Sequence, residues 1–499
     1  MRKIPHTMAT QHPDNASKHH FSGKRFVDTS DEVEECFYSF SELKCQEYMW
    51  DWEGKHVDEA VIEKLIEKHL DFFKKNQLGK DVFLTFRIPN IWKEKGYRLA
   101  RAFVNIIAAN DFMDEMQLHT PPIFEAIFPM TASGEKLFFI RSKYAESVKA
   151  FEIMKESGPK SIEPIPLIEE PSLLLSADKI LEEYVSLCTS SSFRKESVEY
   201  MRPFIARSDP ALVCGLIPAV ISAKAALSRF SEFSEKSSIP TYPIIGVGCL
   251  PFRGHLTPYT VESFSKEYAG VRTVTLQSAF RADYPEKDVK SAVTKLSSSL
   301  SSSARVFSED EIGKIAKLNA IFTKSYVSEM DEILPQIHSI VSSVPARRER
   351  KQHIGLLSYA RTLGKHTLPR AIPFTCAFYS LGVPPEFIGT GRALKEAREH
   401  KLFDFLLEIY RNIEIDLKTA GSYLNRENLA SLSESSKGWK QIAEDVKLVE
   451  ELLDAELGPS EEEHFGHMKR TSKIFSMLSK KEDFSGELEK AAEIRRSLG

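Results

Sequence analysis

Two carboxylates stand at points in the sequence where short apolar runs end. Glu169 follows the run at 162–168, and Asp209 comes shortly after the next run, at 202–206. Carboxylates at the ends of adjacent strands can share one oxygen-loving divalent cation, such as Mg²⁺ or Mn²⁺, that keeps several waters for substrate oxygens. The pattern therefore predicts a metal site at Glu169 and Asp209. The alternative is that each carboxylate caps the helix that follows it.

Cationic and proton-transferring side chains follow several other apolar runs. Arg87, Arg253 and Arg281 each stand at the end of one, and planar guanidinium groups suit bidentate binding of phosphate or carboxylate. An anionic substrate is the functional interpretation, and solvated structural ion pairs are the alternative. His12 lies between a β-rich run and Pro13, where an exposed imidazole could transfer a proton. A lone histidine is otherwise most often a surface residue.

The elements that must position these side chains alternate along the first half of the chain. Eight β-rich runs are each followed by a stretch with apolar residues at helical spacing. The runs lie at 6–10, 47–52, 81–88, 125–131, 162–168, 202–206, 243–248 and 273–277. Eight such units predict an α/β fold, a (β/α)8 TIM-like barrel in which reactive groups project from the carboxyl ends of the strands. The first two strands are the least distinct, because residues 33–46 could hold a helix, and an open doubly wound sheet is the alternative.

The second half of the sequence has helical periodicity and hardly any strand pattern. The fold class is therefore a barrel with a large additional α-helical C-terminal region, divided into residues 1–287 and 288–499. The serine-rich stretch at 297–303 competes poorly for helix interiors and predicts a flexible connection. The final ~70 residues, rich in Glu, Lys and Leu, predict exposed helices and a subunit contact.

Composition excludes several classes of protein. The 499 residues are 42% hydrophobic and 28% charged with a net charge of −4, which is typical of a globular chain and not of a nucleic-acid binder. The longest uncharged stretches, such as 371–385, are shorter than the ~20 apolar residues of a membrane span. The N-terminus does not resemble a secretory signal, so we expect a cytoplasmic protein without a membrane or nucleic-acid partner. The six scattered cysteines predict free, mostly buried thiols.

Several ordered motifs resemble those of phosphoenolpyruvate carboxylase of the short, archaeal type. The most specific is Leu-Pro-Arg-Ala-Ile-Pro-Phe at 368–374, continued by Pro-Pro-Glu-Phe-Ile-Gly-Thr-Gly at 384–391; it looks like the Leu-Arg-Ala-Ile-Pro-Trp motif of the longer bacterial and plant enzymes. Gln-His-Pro-Asp at 11–14 resembles that family's Ala-His-Pro-Thr, and Pro-Leu-Ile-Glu at 166–169 its Pro-Leu-Phe-Glu. Arg-Ser-Asp at 207–209 resembles Tyr-Ser-Asp, and Phe-Arg-Gly at 252–254 is similar to part of Phe-His-Gly-Arg-Gly.

The resemblance implies a reaction and a role for each matched residue. The reaction is carboxylation of phosphoenolpyruvate by bicarbonate to oxaloacetate and inorganic phosphate, with Mg²⁺ or Mn²⁺, in a homotetramer. The implied residues are catalytic His12 and Arg253, metal-binding Glu169 and Asp209, and substrate-binding Arg87, Arg281, Arg361 and Arg370. The segment 364–367, just before the Arg370 motif, is a plausible lid.

The sequence also departs from the longer enzymes of this family. Leu212 stands where they have a lysine, and residues 255–258 replace the second half of their glycine-rich motif. Their C-terminal Asn-Thr-Gly is absent as well, which puts feedback inhibition by aspartate in doubt. The alternative functions are another metal-dependent barrel lyase acting on phosphoenolpyruvate or pyruvate, and a catalytically silent scaffold barrel. The absence of a Walker-type glycine-rich loop argues against ATP-dependent phosphotransfer.

Overall fold

The first part of the chain is a closed barrel of eight parallel strands. The computed structural model describes residues 3–52, 57–151, 159–190, 197–300, 303–349, 362–363 and 366–499. The strands are β1 (Thr7–Thr10), β2 (Glu47–Asp51), β3 (Phe83–Arg87), β4 (Glu125–Phe128), β5 (Glu163–Ile168), β6 (Phe204–Ala206), β7 (Ile244–Gly246) and β8 (Thr273–Leu276). Neighbours in sequence are neighbours in the barrel, and β1 pairs with both β2 and β8. All eight predicted strands are confirmed, and the open sheet is excluded.

Helices connect the strands and form the outer layer of the barrel, as expected where parallel strands need crossover connections. They are α1 (Glu32–Ser41), α2 (Val61–Lys75), α3 (Tyr97–Glu115), α4 (Gly134–Phe151), α5 (Pro171–Leu174), α6 (Ala177–Ser190), α7 (Ser208–Cys214), α8 (Leu216–Ser237), α9 (Val261–Glu267), α10 (Ser278–Ala282) and α11 (Glu286–Ser299), with a 3₁₀ turn at Pro251–Arg253. Residues 211–231 have apolar side chains at helical spacing, but they are divided between α7 and α8 because Gly215, with a φ of +88°, lies between the two helices. A side chain there would also approach the ring of Tyr326.

The described residues that follow α11 are almost entirely helical, as predicted. Their helices are α12 (Glu309–Val341), α13 (Ala371–Leu381), α14 (Thr390–Glu399), α15 (Phe403–Ile409), α16 (Ile413–Gly421), α17 (Arg426–Ser435), α18 (Lys437–Leu453), α19 (Glu462–Ser479) and α20 (Ser485–Ile494), with a 3₁₀ turn at Pro385–Phe387. A short hairpin pairs β9 (Thr362–Leu363) with β10 (His366–Thr367). The proposed lid lies partly outside the described residues, at 364–365. Helix α11 extends to Ser299, so the predicted flexible serine stretch begins as helix.

The barrel interior is packed differently at its two ends. Apolar side chains of several strands fill the middle, among them Met8, Ile127 and Ile244. Toward the amino ends of the strands, the fully buried Arg202 donates hydrogen bonds to Glu47 and Glu125. This end is therefore closed by a buried ion cluster, and the carboxyl ends are left for a site.

Two other expectations can be compared with the structure. All six cysteines are buried and free, which confirms the prediction made for them. Among the described helices, none has an apolar stretch long enough to cross a membrane.

Candidate active site

A cavity of about 340 Å³ lies at the carboxyl ends of the strands. Both the barrel and the helical region contribute to its walls. Six of the predicted site residues line it: His12, Arg87, Glu169, Asp209, Arg253 and Arg370. Arg361 lies outside the described residues, and Arg281 is not among the lining residues. Residues from five strand ends and from the start of α13 thus meet at one place.

Arg253 is held rigidly in the turn that follows β7. It is 2% exposed, and its Nη1 donates to Asp14 Oδ2 at 3.1 Å and to the backbone oxygen of Gly499. Its Nε donates to Ser208 Oγ at 3.2 Å, and its Nη2 donates to Gln277 Oε1 at 2.5 Å. These partners come from four different parts of the chain, so the guanidinium has little rotational freedom.

The surroundings of Arg253 also explain two nearby features. Gly248 packs against the guanidinium, because a Cβ at this position would lie 3.1 Å from Cζ of Arg253. Asp14, which is fully buried, also accepts a hydrogen bond from the N–H of Ala279 at 2.7 Å. Burial raises the pKa of the Asp14 carboxyl, while the charge of Arg253 opposes that rise.

Arg87 is oriented by a bidentate ion pair within the barrel wall. Its Nε and Nη2 donate to the two carboxylate oxygens of Asp51, at 2.9 and 2.6 Å. Asp51 and Arg87 are paired in register at the ends of β2 and β3. A guanidinium held along one edge in this way presents a positive charge of defined orientation to the cavity.

His12 lies two residues after the end of β1, and its ring contacts the last residue of that strand. The Nδ1 atom is 2.9 Å from Thr10 Oγ1, and the backbone oxygen of His12 accepts a hydrogen bond from Ser278 N. With Nδ1–H donating to Thr10, Nε2 carries the lone pair that can accept a proton. The residue is half-buried, which suits a base that reaches a reactant in the cavity.

Glu169 and Asp209 line the cavity from neighbouring positions in the barrel. Glu169 directly follows β5, Asp209 lies in the first turn of α7 after β6, and β5 pairs with β6. The Oε1 atom of Glu169 accepts a hydrogen bond from Met130 N at 3.1 Å, which orients the carboxylate. Two carboxylates beside an open cavity fit a hydrated Mg²⁺ or Mn²⁺, which needs few protein ligands. No group of three or more potential ligands forms a closed metal cage within the described ranges.

Arg370 brings the helical region into the site. It is the residue before α13, has an extended backbone (φ −64°, ψ 153°), and its carbonyl accepts a hydrogen bond from Phe374 N. The loop after α12 lies beside it and contributes Arg347 and Arg348 to the cavity wall. Arg348 binds Glu32 and Glu35 of α1, at 3.0 and 2.7 Å, which fixes this loop to the barrel.

The structure does not bring Arg281 to the cavity. It lies in α10, which turns it back into the wall of the barrel. Its Nη2 donates to Glu35 Oε1 at 2.9 Å and to the Thr10 backbone oxygen at 2.6 Å, and its Nη1 donates to Ser39. Burial opposes ionisation of Glu35, but Arg348 and Arg281 hold the pKa of its carboxyl well below the usual range. The geometry shows Arg281 in a buried ion pair with Glu35, and the substrate contact predicted for Arg281 stays a prediction.

We compared the sequence of this chain with those of known protein families. A family model described as phosphoenolpyruvate carboxylase matches residues 4–499. The chain belongs to the phosphoenolpyruvate carboxylase family. Phosphoenolpyruvate carboxylase from Oenococcus oeni is 40% identical over 484 residues, covering 95% of this chain and 94% of the relative. The enzyme of the same name from Metallosphaera sedula is 37% identical, and the match covers 100% of this chain and 100% of the relative. The one from Pyrococcus horikoshii is 38% identical, and the match covers 89% of this chain and 94% of the relative.

Several lining residues of this phosphoenolpyruvate carboxylase family member were given no role in the site from the sequence. Arg207, Ser208, Gln277, Arg347 and Arg348 all face the cavity. The first three directly follow strands β6 and β8, so their positions at strand ends were a usable signal. Arg347 and Arg348 carried no such signal, because only packing brings the loop after α12 to the barrel. Leu212 also lines the cavity, and no lysine is among the lining residues in the described part.

Proposed function

We propose that this protein is a carboxy-lyase that carboxylates phosphoenolpyruvate with bicarbonate, forming oxaloacetate and inorganic phosphate. The observation that carries the proposal is the arginine-rich cavity with Glu169 and Asp209 on its wall, in a chain of the phosphoenolpyruvate carboxylase family. Both substrates are anions, so a cavity with several guanidinium groups suits them. A scaffold without activity has no need of so many cationic groups in one cavity.

The arginines supply positive charge for the first step. An oxygen of bicarbonate attacks the phosphorus of phosphoenolpyruvate, the bond between phosphorus and the enol oxygen breaks, and carboxyphosphate and the enolate of pyruvate result. Arg253 and Arg370 stabilise the charge on the phosphate oxygens, since preorganised donors cost no reorganisation during the reaction. The fixed hydrogen bonds of Arg253 support this role.

His12 is the base of the second step. It removes the carboxyl proton of carboxyphosphate, the bond between carbon and the bridging oxygen breaks, and CO₂ and phosphate are formed. The enolate carbon then attacks CO₂ and gives oxaloacetate. Thr10, which holds Nδ1, keeps the imidazole in one orientation, and Nε2 takes the proton.

Glu169 and Asp209 would hold the divalent cation, Mg²⁺ or Mn²⁺. When bound, such an ion supplies Lewis-acid stabilisation of negative charge on substrate oxygens. The loop after α12 and the start of α13 cover the cavity, and Val344, Leu368 and Leu498 add apolar surface to it. Excluding water matters here because a protonated enolate becomes pyruvate, and the carboxylated product is then lost.

We also propose a cytoplasmic homotetramer, in line with the family resemblance. The C-terminal helices α17–α20 are the candidate subunit contact. Sedimentation velocity on the purified protein tests this, and a monomer at micromolar concentration would contradict it.

The function is tested by the products that His12→Asn makes. Wild-type protein with Mg²⁺ should release phosphate from phosphoenolpyruvate only when bicarbonate is present, and should form oxaloacetate in equal amount. His12→Asn should still release phosphate in a bicarbonate-dependent way, because the arginines and both carboxylates are intact, but it should form pyruvate in place of oxaloacetate.

The matched control is His119→Asn, which changes an exposed histidine outside the cavity and should leave both products unchanged. Absence of bicarbonate-dependent phosphate release from the wild-type protein would refute the proposed function. Normal oxaloacetate formation by His12→Asn would refute the role of the histidine alone.

A further inference from the structure

Arg207 differs from the other deeply buried arginines of the barrel. It follows β6, is only 1% exposed, and lines the cavity beside Ser208 and Asp209. Its Nε donates to the hydroxyl of Tyr268 at 3.0 Å. Its Nη1 and Nη2 are also buried, and neither has a hydrogen-bond partner among the described residues.

Buried arginines elsewhere in the barrel are bound to carboxylates. Arg202 donates to Glu47 and Glu125, and Arg281 donates to Glu35. Buried charges are normally paired, since a buried charge without a partner is unfavourable in the folded protein. The two terminal nitrogens of Arg207 therefore need an explanation that packing within the chain does not supply.

The carboxylate that interacts electrostatically with Arg207 is already bound by other groups. Asp416 interacts with Arg207 electrostatically. Its Oδ2, however, accepts a hydrogen bond from the hydroxyl of Tyr410 at 2.5 Å, and its Oδ1 lies 2.5 Å from Nδ1 of His255. Asp416 thus balances part of the charge of Arg207 and leaves the hydrogen-bonding capacity of Nη1 and Nη2 unused.

We propose that Arg207 binds a substrate oxyanion in the cavity. Its Nη1 and Nη2 donate to two oxygens of one anion, which is bicarbonate or an anionic group of phosphoenolpyruvate; this identification rests on the proposed function. The two terminal N–H groups form a planar fork that matches two oxygens of a carboxylate or phosphate. Asp209 stands two residues away, so the anion lies beside the carboxylates assigned to the metal.

Tyr268 is the positioning residue for this fork. It is buried, lies at the end of α9, and its hydroxyl accepts the hydrogen bond from Nε of Arg207. A hydrogen bond at Nε fixes the plane of the guanidinium while both terminal nitrogens remain available. Loss of the tyrosine hydroxyl should therefore weaken anion binding without removing the charge.

The kinetic test compares Arg207→Lys, Tyr268→Phe and the control Arg229→Lys. Lysine keeps the charge but cannot form the fork, so Arg207→Lys should raise the KM for one substrate about tenfold or more. A raised KM for bicarbonate identifies bicarbonate as the anion bound by Arg207, and a raised KM for phosphoenolpyruvate identifies phosphoenolpyruvate. Tyr268→Phe should raise the same KM by a smaller factor, with kcat less affected. Arg229 binds Glu309 outside the cavity, and Arg229→Lys should change neither KM.

A second measurement does not depend on turnover. In the absence of substrates, Arg207→Met should unfold at the same temperature as the wild-type protein or at a higher one, because it removes a buried charge whose two terminal nitrogens have no hydrogen-bond partner among the described residues. An arginine needed only for structure would give a lower temperature. Bicarbonate or phosphoenolpyruvate, each added with Mg²⁺, should raise the unfolding temperature of the wild-type protein more than that of Arg207→Met.

The results separate this inference from the proposed function. Unchanged KM values in Arg207→Lys, or equal ligand-induced stabilisation of wild type and Arg207→Met, would overturn the role of Arg207. A wild-type protein without bicarbonate-dependent phosphate release would refute the function, and the ligand-induced shifts in unfolding temperature would still show whether Arg207 binds an anion.

Discussion

Glu386 connects the helical region to the turn that carries Arg253, and its carboxyl is fully buried. It lies in the 3₁₀ turn Pro385–Phe387. Its Oε1 accepts hydrogen bonds from Phe252 N and from the hydroxyl of Tyr379, both at 2.8 Å. Its Oε2 has no partner among the described residues. This arrangement leads to a prediction for the pH dependence of stability.

Burial raises the pKa of Glu386 from its ordinary value of 4.5 to about 7, against the opposing effect of its hydrogen bonds. The folded state therefore holds this proton more tightly than the unfolded state. Its contribution to stability is complete below pH 4.5 and is lost as the pH rises through 7. At about 1.4 kcal/mol per pH unit, the charged form lowers the free energy of unfolding by about 3 kcal/mol at pH 8.

Glu386→Gln removes the charge at every pH and keeps the shape and one acceptor oxygen. Between pH 5 and pH 8 the free energy of unfolding of the variant should rise relative to that of the wild-type protein by about 2–3 kcal/mol. Urea denaturation followed by circular dichroism at both pH values measures this difference. Other buried acids titrate in both proteins, so their effects cancel in the comparison.

Glu427→Gln is the control, because Glu427 is exposed on α17. The free energy of unfolding of Glu427→Gln should change with pH in the same way as that of the wild-type protein across this range. If the free energies of unfolding of Glu386→Gln and the wild type change with pH in parallel, the raised pKa of Glu386 is refuted. A variant that loses stability relative to the wild type as the pH rises would refute it as well.

The remaining predictions concern the cavity. Glu169→Gln or Asp209→Asn should lower activity and raise the Mg²⁺ concentration needed for half-maximal rate by about tenfold or more, because one carboxylate holds a hydrated cation poorly; an unchanged metal titration in both variants would exclude the site. Arg370→Lys should reduce kcat/KM for phosphoenolpyruvate about tenfold or more, and wild-type kinetics would make Arg370 structural. Arg281→Met should lower the unfolding temperature by leaving Glu35 with one fewer partner, whereas a raised KM with unchanged stability would restore a substrate-binding role.

The fold could be predicted because its signal is local. Each strand of a parallel barrel is a short apolar run, and each is followed by a helix whose apolar residues recur at helical spacing. These patterns depend on neighbouring residues only, so all eight strands were found. The ambiguous stretch 33–46 includes most of α1, which packs on β2 and carries Glu35. Where one glycine divides an otherwise continuous helical pattern, as at Gly215, the break was not predicted.

Much of the cavity could be predicted for a related reason. In a closed parallel barrel, every strand ends at the same rim, so residues that follow apolar runs must lie near each other. This argument found His12, Arg87, Glu169, Asp209 and Arg253, and the family resemblance added Arg370. It could not find Arg347 or Arg348, because their approach depends on how the helical region packs on the barrel.

Arg207 and Arg281 show what the sequence alone determined and what only the tertiary structure decided. Both follow a barrel strand, and by sequence pattern they are equivalent. Packing distinguishes them: α1 places Glu35, 246 residues away in sequence, against Arg281, whereas the terminal nitrogens of Arg207 receive no partner from the described residues. The sequence sets which side chains reach the rim, because strand ends are local features. Whether a charge at the rim is neutralised depends on distant residues, and these meet only in the folded chain.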